Sequence, residues 1–341
     1  MESLEVNPRE LPMQDSVDFP PLPSTLETLP SPHVVRARSL RADESADQEF
    51  RPKPVLFPEH QLIVKWGSDI TVAEGQCLWY LGRRLPDAVP VPKIYGWRRD
   101  KDQTFLYMEL IEGVTLAERW ESLSATERTA ICTSLSGMIS AWRRLTLEQT
   151  VSILPPSPSV MTFSSFILEK LRKYRAWLWQ SQESPPSSPQ SVSLCQIGGQ
   201  ELRDIMFQDA GQYPAGPFDS VASFHKSFAG LVDRRYSGER DRRETIEGLR
   251  GLRDDVPVVF THADLDLSNI IVSPPEGEPA RILAIIDWHQ SGWYPEPWEW
   301  LKARMVAVPG SKWVENYLNT VLKPAEYNYF YAFEYISMST I

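Results

Sequence analysis

Apolar residues in this chain recur with two different periods, and the change from one to the other divides it. Between about residues 33 and 110, short runs mix apolar and polar positions in HVVRARSL, HQLIVKW, VPKIYGW and TFLYMEL. Alternation of this kind belongs to strands with one buried face. The last two runs are separated by the polar RRDKDQ, which predicts a hairpin. One helix interrupts the strands: TVAEGQCLWYLGRRL places Thr71 and Glu74 at capping-box spacing and carries the apolar Cys77, Leu78 and Leu81.

After Leu110 the spacing lengthens to that of helices. In SATERTAICTSLSGMISAWRRL, Ser124 and Glu127 are spaced as a second capping box. Ile131, Leu135, Met138, Ile139, Trp142 and Leu145 then mark one buried face. SFILEKLRKYRAWLW and SVASFHKSFAGLVDRR predict two more helices, and the Ser/Pro-rich stretch 181–193 predicts a mobile loop, the first internal site of proteolysis. Residues 1–32, rich in Pro, Ser and Glu, show no sustained periodicity. They are expected to form a disordered tail, dispensable for folding, with FPPLP extended. The pattern predicts an α+β fold of two lobes, a small β-rich one over 33–110 and a larger, mainly helical one over 111–341. No internal repeat is present.

Composition narrows the function classes. With 341 residues, 42% hydrophobic and 23% charged, the chain supports a sizeable globular core. A net charge of -10 argues against a protein that grips nucleic-acid backbone. No apolar run approaches the ~18 residues of a membrane-spanning helix, so no membrane association is expected. The N-terminus lacks the basic and apolar regions of a secretory signal, and Cys77, Cys132 and Cys195 show no metal or redox spacing. These features together predict a cytoplasmic protein with reduced thiols.

The chemistry concentrates in VVFTHADLDLSNIIV. Two apolar β-branched runs flank His262, Asp264, Asp266, Ser268 and Asn269, which must therefore sit on a loop at the edge of the core. Further on, ARILAIIDWHQSG ends an apolar strand at Asp287, and the turn-forming SPPEGEP between the strands predicts a hairpin that returns Asp287 towards Asn269. Asn and Asp oxygens suit Mg²⁺, which takes a few protein ligands and leaves the rest to phosphate and water. A further carboxylate, Asp264, held off the metal, is placed to accept a proton from an attacking hydroxyl, as phosphoryl transfer requires. Upstream, Lys65 ends the strand-like QLIVKW and Glu74 follows on the helix, in the order in which a kinase lobe places its phosphate lysine and the glutamate that holds it. Singly, each of these has an ordinary alternative: loop Asp and Asn satisfy local backbone, Glu74 caps a helix, Lys65 ends a strand.

The chain resembles the aminoglycoside phosphotransferase/choline kinase-like family, in particular its fungal members of undefined substrate. FTHADLDLSNIIV is similar to their catalytic loop, and IIDWHQSGWYPEPWEWLKA to their metal-binding segment with its aromatic block. LIVKW, AEG and VPVPKIYGW…LYMELIEGVTL are similar to their phosphate lysine, helix glutamate and interlobe hinge. The likeness covers roughly residues 55 to 305. It implies a protein-kinase-like fold with ATP between the lobes. Asp264 would be the catalytic base, Asn269 and Asp287 the Mg²⁺ ligands, and Lys65 with Glu74 the phosphate-holding pair. The backbone of Glu109 and Ile111 would meet the adenine, with Met108 behind it. Two features depart from the kinase pattern. The first glycine of the chain is Gly67, so no glycine-rich phosphate loop precedes Lys65, and His289 stands where D-F-G would have its glycine.

An ATP- and Mg²⁺-dependent small-molecule kinase with a hydroxyl acceptor is therefore the expectation. A protein kinase would need a long activation segment, whereas YPEPWEW begins seven residues after Asp287. A kinase-like binding module without turnover is the alternative that the missing glycines favour. Glu201, Asp204, Asp209 and Asp219 are candidates to receive an amine-bearing acceptor or to form a solvated face. Trp293, Tyr294, Trp298 and Trp300 are expected to pack in the core, with Glu299 among them paired to a buried basic group.

Overall fold

The computed structural model describes residues 4–43, 51–147, 193–207, 215–233, 252–275 and 279–340. The helix expected over 165–179, Asp209, and the loop 181–193 up to Val192 lie outside the described residues.

In chain order the first part contains β1 (Leu4–Val6), β2 (Ser16–Asp18), α1 (Pro32–Ala42), β3 (Val55–Phe57), β4 (Leu62–Gly67), α2 (Val72–Arg84), β5 (Ile94–Asp100) and β6 (Gln103–Glu109). Strands β2 to β6 form one antiparallel sheet in the order β2-β5-β6-β4-β3. The β5–β6 hairpin turns as expected, with Asp100 opposite Gln103 and Lys101 in the left-handed region at φ 60°.

Period two decides what each face of this sheet meets. Leu62, Val64 and Trp66 of β4, with Phe105 and Tyr107 of β6, pack in one cluster with Val35 of α1. Leu106 and Met108 instead join the main core with Cys77, Leu78 and Leu81 of α2. Lys65, between Val64 and Trp66, consequently points to the α2 side.

Two expectations are corrected here. HVVRARSL is helical, in α1, where a strand was expected. Ser31 accepts a hydrogen bond from the Val34 amide and Pro32 occupies the first turn, so the start signal overrides the β-branched pair. Only Val35 and Ser39, four apart, are buried on this helix. The tail expected to be disordered up to residue 32 is ordered from Leu4. β1 pairs in parallel with residues 145–147, β2 adds to the edge of the sheet, and Val6, Leu11 and Leu29 are buried. Its backbone carbonyls are satisfied by the body: Tyr80 donates to Glu5, Gln76 to Pro12, and the Trp97 indole to Gln14, at 3.0, 2.8 and 2.7 Å. A low-apolar segment is thus held by side chains it borrows, which composition does not register.

The second part comprises β7 (Val114–Thr115), α3 (Leu116–Arg119), α4 (Ala125–Trp142), β8 (Leu145–Leu147), α5 (Val221–Asp233), β9 (Val258–Thr261), β10 (Ile270–Val272), β11 (Ile282–Ile285), β12 (Gly292–Pro295), α6 (Trp298–Val306), α7 (Leu318–Val321) and α8 (Tyr327–Thr340). The Ser124–Glu127 capping box at the start of α4 is formed. β10 and β11 make the expected hairpin, β7 lies on its other edge, and β9 pairs with β12. Gly113 permits β7 to dock: a Cβ there would lie 2.6 Å from the Val272 carbonyl.

Trp293, Tyr294, Trp298 and Trp300 are buried, as expected. Trp298 is edge-on to Phe224, Phe228 and Phe333, which joins α6 to α5 and α8. Asp204 is buried as well. It accepts from Lys302 Nζ and the Trp298 indole, both at 2.7 Å, so it is removed from the acidic candidates for receiving a substrate. Asp219 accepts from the Ser220 and Ser223 hydroxyls.

Deleting residues 1–30 is expected to lower Tm by roughly 5–10 °C, since each buried Val or Leu contributes about 1.5–3 kcal/mol. An unchanged thermal melt would show that β1 and β2 add nothing to the fold. A second outcome concerns pH. His225 of α5 contacts Asp254 at 2.7 Å and Tyr329 of α8. Burial outweighs Asp254 and pulls the imidazole below its usual range. Between that lowered value and about pH 6.5 the unfolded chain binds a proton that the folded one does not. Stability is therefore full above about 6.5 and declines as pH falls through the folded value. Denaturant unfolding across this window should show the decline in the wild type and a flatter profile in His225→Gln.

Candidate active site

The site begins with a lysine that two elements share. Lys65 Nζ donates to Glu74 Oε1 at 2.6 Å and to Asp287 Oδ1 at 2.9 Å. The expected capping role of Glu74 is not realised: Thr71 makes no side-chain cap bond, and the carboxylate turns to Lys65 instead. Glu74 is buried and engages Lys65 through Oε1 alone, while its Oε2 finds no partner among the described residues. Burial pulls the Lys65 ammonium down, but Glu74 and Asp287 outweigh it and hold the group above its usual range.

Asp287, two residues past the end of β11, is in the left-handed region, at φ 64°. Besides Lys65, its carboxylate accepts from Arg51 Nη2 at 2.8 Å to Oδ1 and 3.2 Å to Oδ2, and lies 2.9 Å from His289 Nδ1. Burial would raise the Asp287 acid, but Lys65, then His289 and Arg51, hold it far below the ordinary carboxylate range.

The loop after β9 is fixed from beneath. Glu299, on the first turn of α6, accepts from the His262 and Ala263 amides at 2.7 and 3.0 Å. The buried basic partner expected for Glu299 is thus replaced by two consecutive backbone N–H groups, although burial drives its acid upward against Arg143 and those two amides. Ala263 sits at φ 63°, a conformation rare for a residue with a Cβ. Consecutive amides around a left-handed residue form a concave anion seat, and here Glu299 fills it.

His262 ties this loop to the strand that carries Asp287. Its Nδ1 accepts from the Asp264 amide at 3.2 Å, and its Nε2 donates to the Ile286 carbonyl at 2.9 Å. Those fixed backbone partners require the neutral Nε2–H tautomer. The Asn269 amide nitrogen donates to the Asp264 carbonyl at 2.8 Å and to its Oδ2 at 3.2 Å, and the Ile286 amide donates to the Asn269 carbonyl. Asp264 and Asn269, five positions apart, are therefore tied to each other and, through Ile286, to the segment that carries Asp287. Donor atoms of Asp264, Asp287 and His289 lie within 4.8 Å of one another.

The remaining expected residues are at the end of β6 and just beyond it. Met108 is buried there, and Glu109 takes the Lys93 amide on its carboxylate at 3.1 Å while its own amide donates to the Lys93 carbonyl. Ile111, half-buried, lies between β6 and β7. Three residues had no local signal: Arg51, whose contact spans 236 positions, His289 as a member of the carboxylate cluster, and Glu299 as a loop anchor.

A lysine–glutamate pair beneath an antiparallel sheet, facing an Asp–Asn loop and a hairpin followed by an aspartate, defines a kinase-like fold. The model of the phosphotransferase enzyme family matches residues 71–297, more than half of the chain, and the protein belongs to that family. Lys65 and Arg51 lie ahead of the matched region and Glu299 just beyond it. No curated protein matches the chain.

Among solved structures it is similar to an aminoglycoside-3'-phosphotransferase of type VIII, with 15% identity and TM-score 0.43, covering 82% of this chain and 84% of that one. It is also similar to the aminoglycoside phosphotransferase APH(3'')-Id of Streptomyces rimosus in complex with ADP and streptomycin, with 14% identity and TM-score 0.40, covering 90% and 97%. A third is APH(4)-Ia in complex with AMP-PNP and hygromycin B, with 15% identity and TM-score 0.37 over 70% of this chain. The chain spans 63% of that APH(4)-Ia chain.

Glu299→Gln leaves one oxygen where two amides need acceptors. Loss of a buried partner is expected to cost about 1–3 kcal/mol. Denaturant unfolding measures the loss, and hydrogen exchange should quicken at His262 and Ala263. Unchanged exchange at both amides would remove Glu299 as the anchor.

Proposed function

We propose that the protein transfers the γ-phosphate of Mg·ATP to a hydroxyl group of a small molecule. The observation that supports this best is the meeting of Lys65, bound to Glu74, with Asp287, whose carboxylate lies in one cluster with Asp264. A lysine held by a buried glutamate suits phosphate oxygens, which accept its charge when Asp287 is otherwise engaged. The segment Met108–Ile111 is the adenine-facing hinge in this reading.

The donor set fits a hard cation. Asp287 supplies an anionic oxygen, and Asn269, whose nitrogen is committed to Asp264, has Oδ1 as its remaining donor. A magnesium ion held there would neutralise phosphate charge. His289 would be a further ligand or a support for Asp287.

Asp264 is the base. As the acceptor oxygen bonds to the γ-phosphorus and the bond to the bridging β–γ oxygen breaks, the hydroxyl proton passes to the Asp264 carboxylate. Asn269 and His262 orient that carboxylate by holding its own amide, carbonyl and Oδ2. The reading of a binding module without turnover is favoured by one observation, the absence of any glycine before Gly67.

Substitutions separate the roles. Asp264→Asn should preserve Mg·ATP binding while lowering transfer by about 10²–10⁴-fold. Asp287→Asn should weaken magnesium-dependent ATP binding and abolish turnover together. Lys65→Ala should slow transfer with less effect on adenine recognition. ATP titrations with and without Mg²⁺, alongside ATP consumption over a panel of amino-alcohols, sugars and aminoglycosides, measure these outcomes. Wild-type protein that binds Mg·ATP yet consumes none would favour the binding module, and absence of magnesium-dependent binding would defeat the kinase reading.

A further inference from the structure

Arg51 is the feature of the cleft that the phosphotransferase reading does not absorb. It lies four residues before β3, the strand that leads through a short turn into β4 and Lys65. Kinases bring backbone amides close to the nucleotide phosphates with a glycine-rich loop ahead of the phosphate lysine. This chain has no glycine there. It has instead a guanidinium, one-third exposed, that reaches the cleft and bonds to the same Asp287 oxygen as Lys65. Nη1 also lies 2.9 Å from His289 Nε2.

The Asp287 carboxylate is crowded in a telling way. Arg51 engages both of its oxygens and Lys65 one of them, so a metal ion taking this carboxylate would compete with Arg51 for it. Among the described residues Glu74 is the only other carboxylate touching this pair of cations, and the group is formally balanced there: Arg51 and Lys65 against Glu74 and Asp287. A metal that binds Asp287 upsets this balance and releases Arg51. The released guanidinium then needs an anionic partner in the same part-buried place. The phosphate oxygens that accompany the metal provide one, in the planar two-toothed geometry that arginine fits.

We propose that Arg51 is a phosphate-binding residue of the nucleotide site, its guanidinium supplying the contacts that glycine-loop amides make in other kinases. In the ligand-free protein it is parked on Asp287 and His289. On entry of the metal–nucleotide it exchanges that carboxylate for phosphate oxygens. The inference rests on the phosphotransferase reading and adds to it a residue that neither the family match nor the sequence motifs include.

Equilibrium binding of adenosine, ADP and ATP, each with and without Mg²⁺, to the full-length wild type, Arg51→Ala and Arg51→Lys tests it, with thermal melts alongside. Arg51→Ala is expected to weaken Mg·ATP by about 10- to 100-fold, the range of a lost charge-assisted contact, and adenosine by no more than about twofold. Arg51→Lys should fall between, keeping the charge without the fork. Unchanged Mg·ATP affinity in Arg51→Ala overturns the proposal. Tighter Mg·ATP overturns it too, by showing that Arg51 only competes with the metal for Asp287. Equal losses for adenosine and Mg·ATP mean that Arg51 merely shapes the cleft, which also overturns it. Should Arg51→Ala fail to fold, Arg51→Gln replaces it with the same outcomes. A wild type that binds no nucleotide overturns the phosphotransferase reading and this inference together. A wild type that binds, with variants that bind equally, overturns the role of Arg51 alone.

Discussion

Two backbone amides on one buried carboxylate hold the centre of this protein. Glu299 sits on the first turn of α6, among the aromatic side chains that join α6 to α5 and α8, and accepts from His262 and Ala263. That seat requires Ala263 to be left-handed, and the left-handed residue reverses the chain so that Asp264 leaves the core. Leaving the carboxylate without its amides, or the amides without it, would strand buried polar groups. The helical lobe therefore sets the position of the loop, and the loop sets the position of Asp264. The aromatic block is packing in its own right and also the foundation on which Glu299 stands.

The two parts of the chain share an apolar core and the β1–β8 pairing, and at the cleft their link is electrostatic. Asp287 comes from the β10–β11 hairpin and receives Lys65 from the five-stranded sheet and Arg51 from the segment ahead of it. Pairs of this burial gain little net stability, because desolvation offsets much of the attraction. What they supply is position, since each charge would be costly if left alone. In the proposed reading, a cation on Asp287 and an anionic ligand on Arg51 would replace these contacts pair for pair.

Local signals made much of the site legible. The apolar runs around HADLDLSN and before Asp287, the SPPEGEP turn, and the strand–helix order of Lys65 and Glu74 placed those residues on the elements where they are found. Other local signals misled. Thr71 and Glu74 have capping-box spacing, but a buried ammonium nine residues away competes for the carboxylate more strongly than the Thr71 backbone amide does. HVVRARSL carries β-branched residues, yet Ser31 and Pro32 start a helix. The N-terminal segment is poor in apolar residues, yet Tyr80, Gln76 and Trp97 of the body satisfy its carbonyls.

The sequence by itself determined the fold class, the phosphotransferase resemblance and the identity of the Asp264–Asn269 loop, because these depend on periodicity and on residues within a few positions of one another. Tertiary structure alone decided the partner of Glu299, the burial of Asp204 on Lys302, the neutral tautomer of His262 and the reach of Arg51 to Asp287. Each of these is a hydrogen bond between groups tens to hundreds of residues apart. Its energy depends on how much water is excluded around the two groups, and that exclusion exists only once the chain has packed.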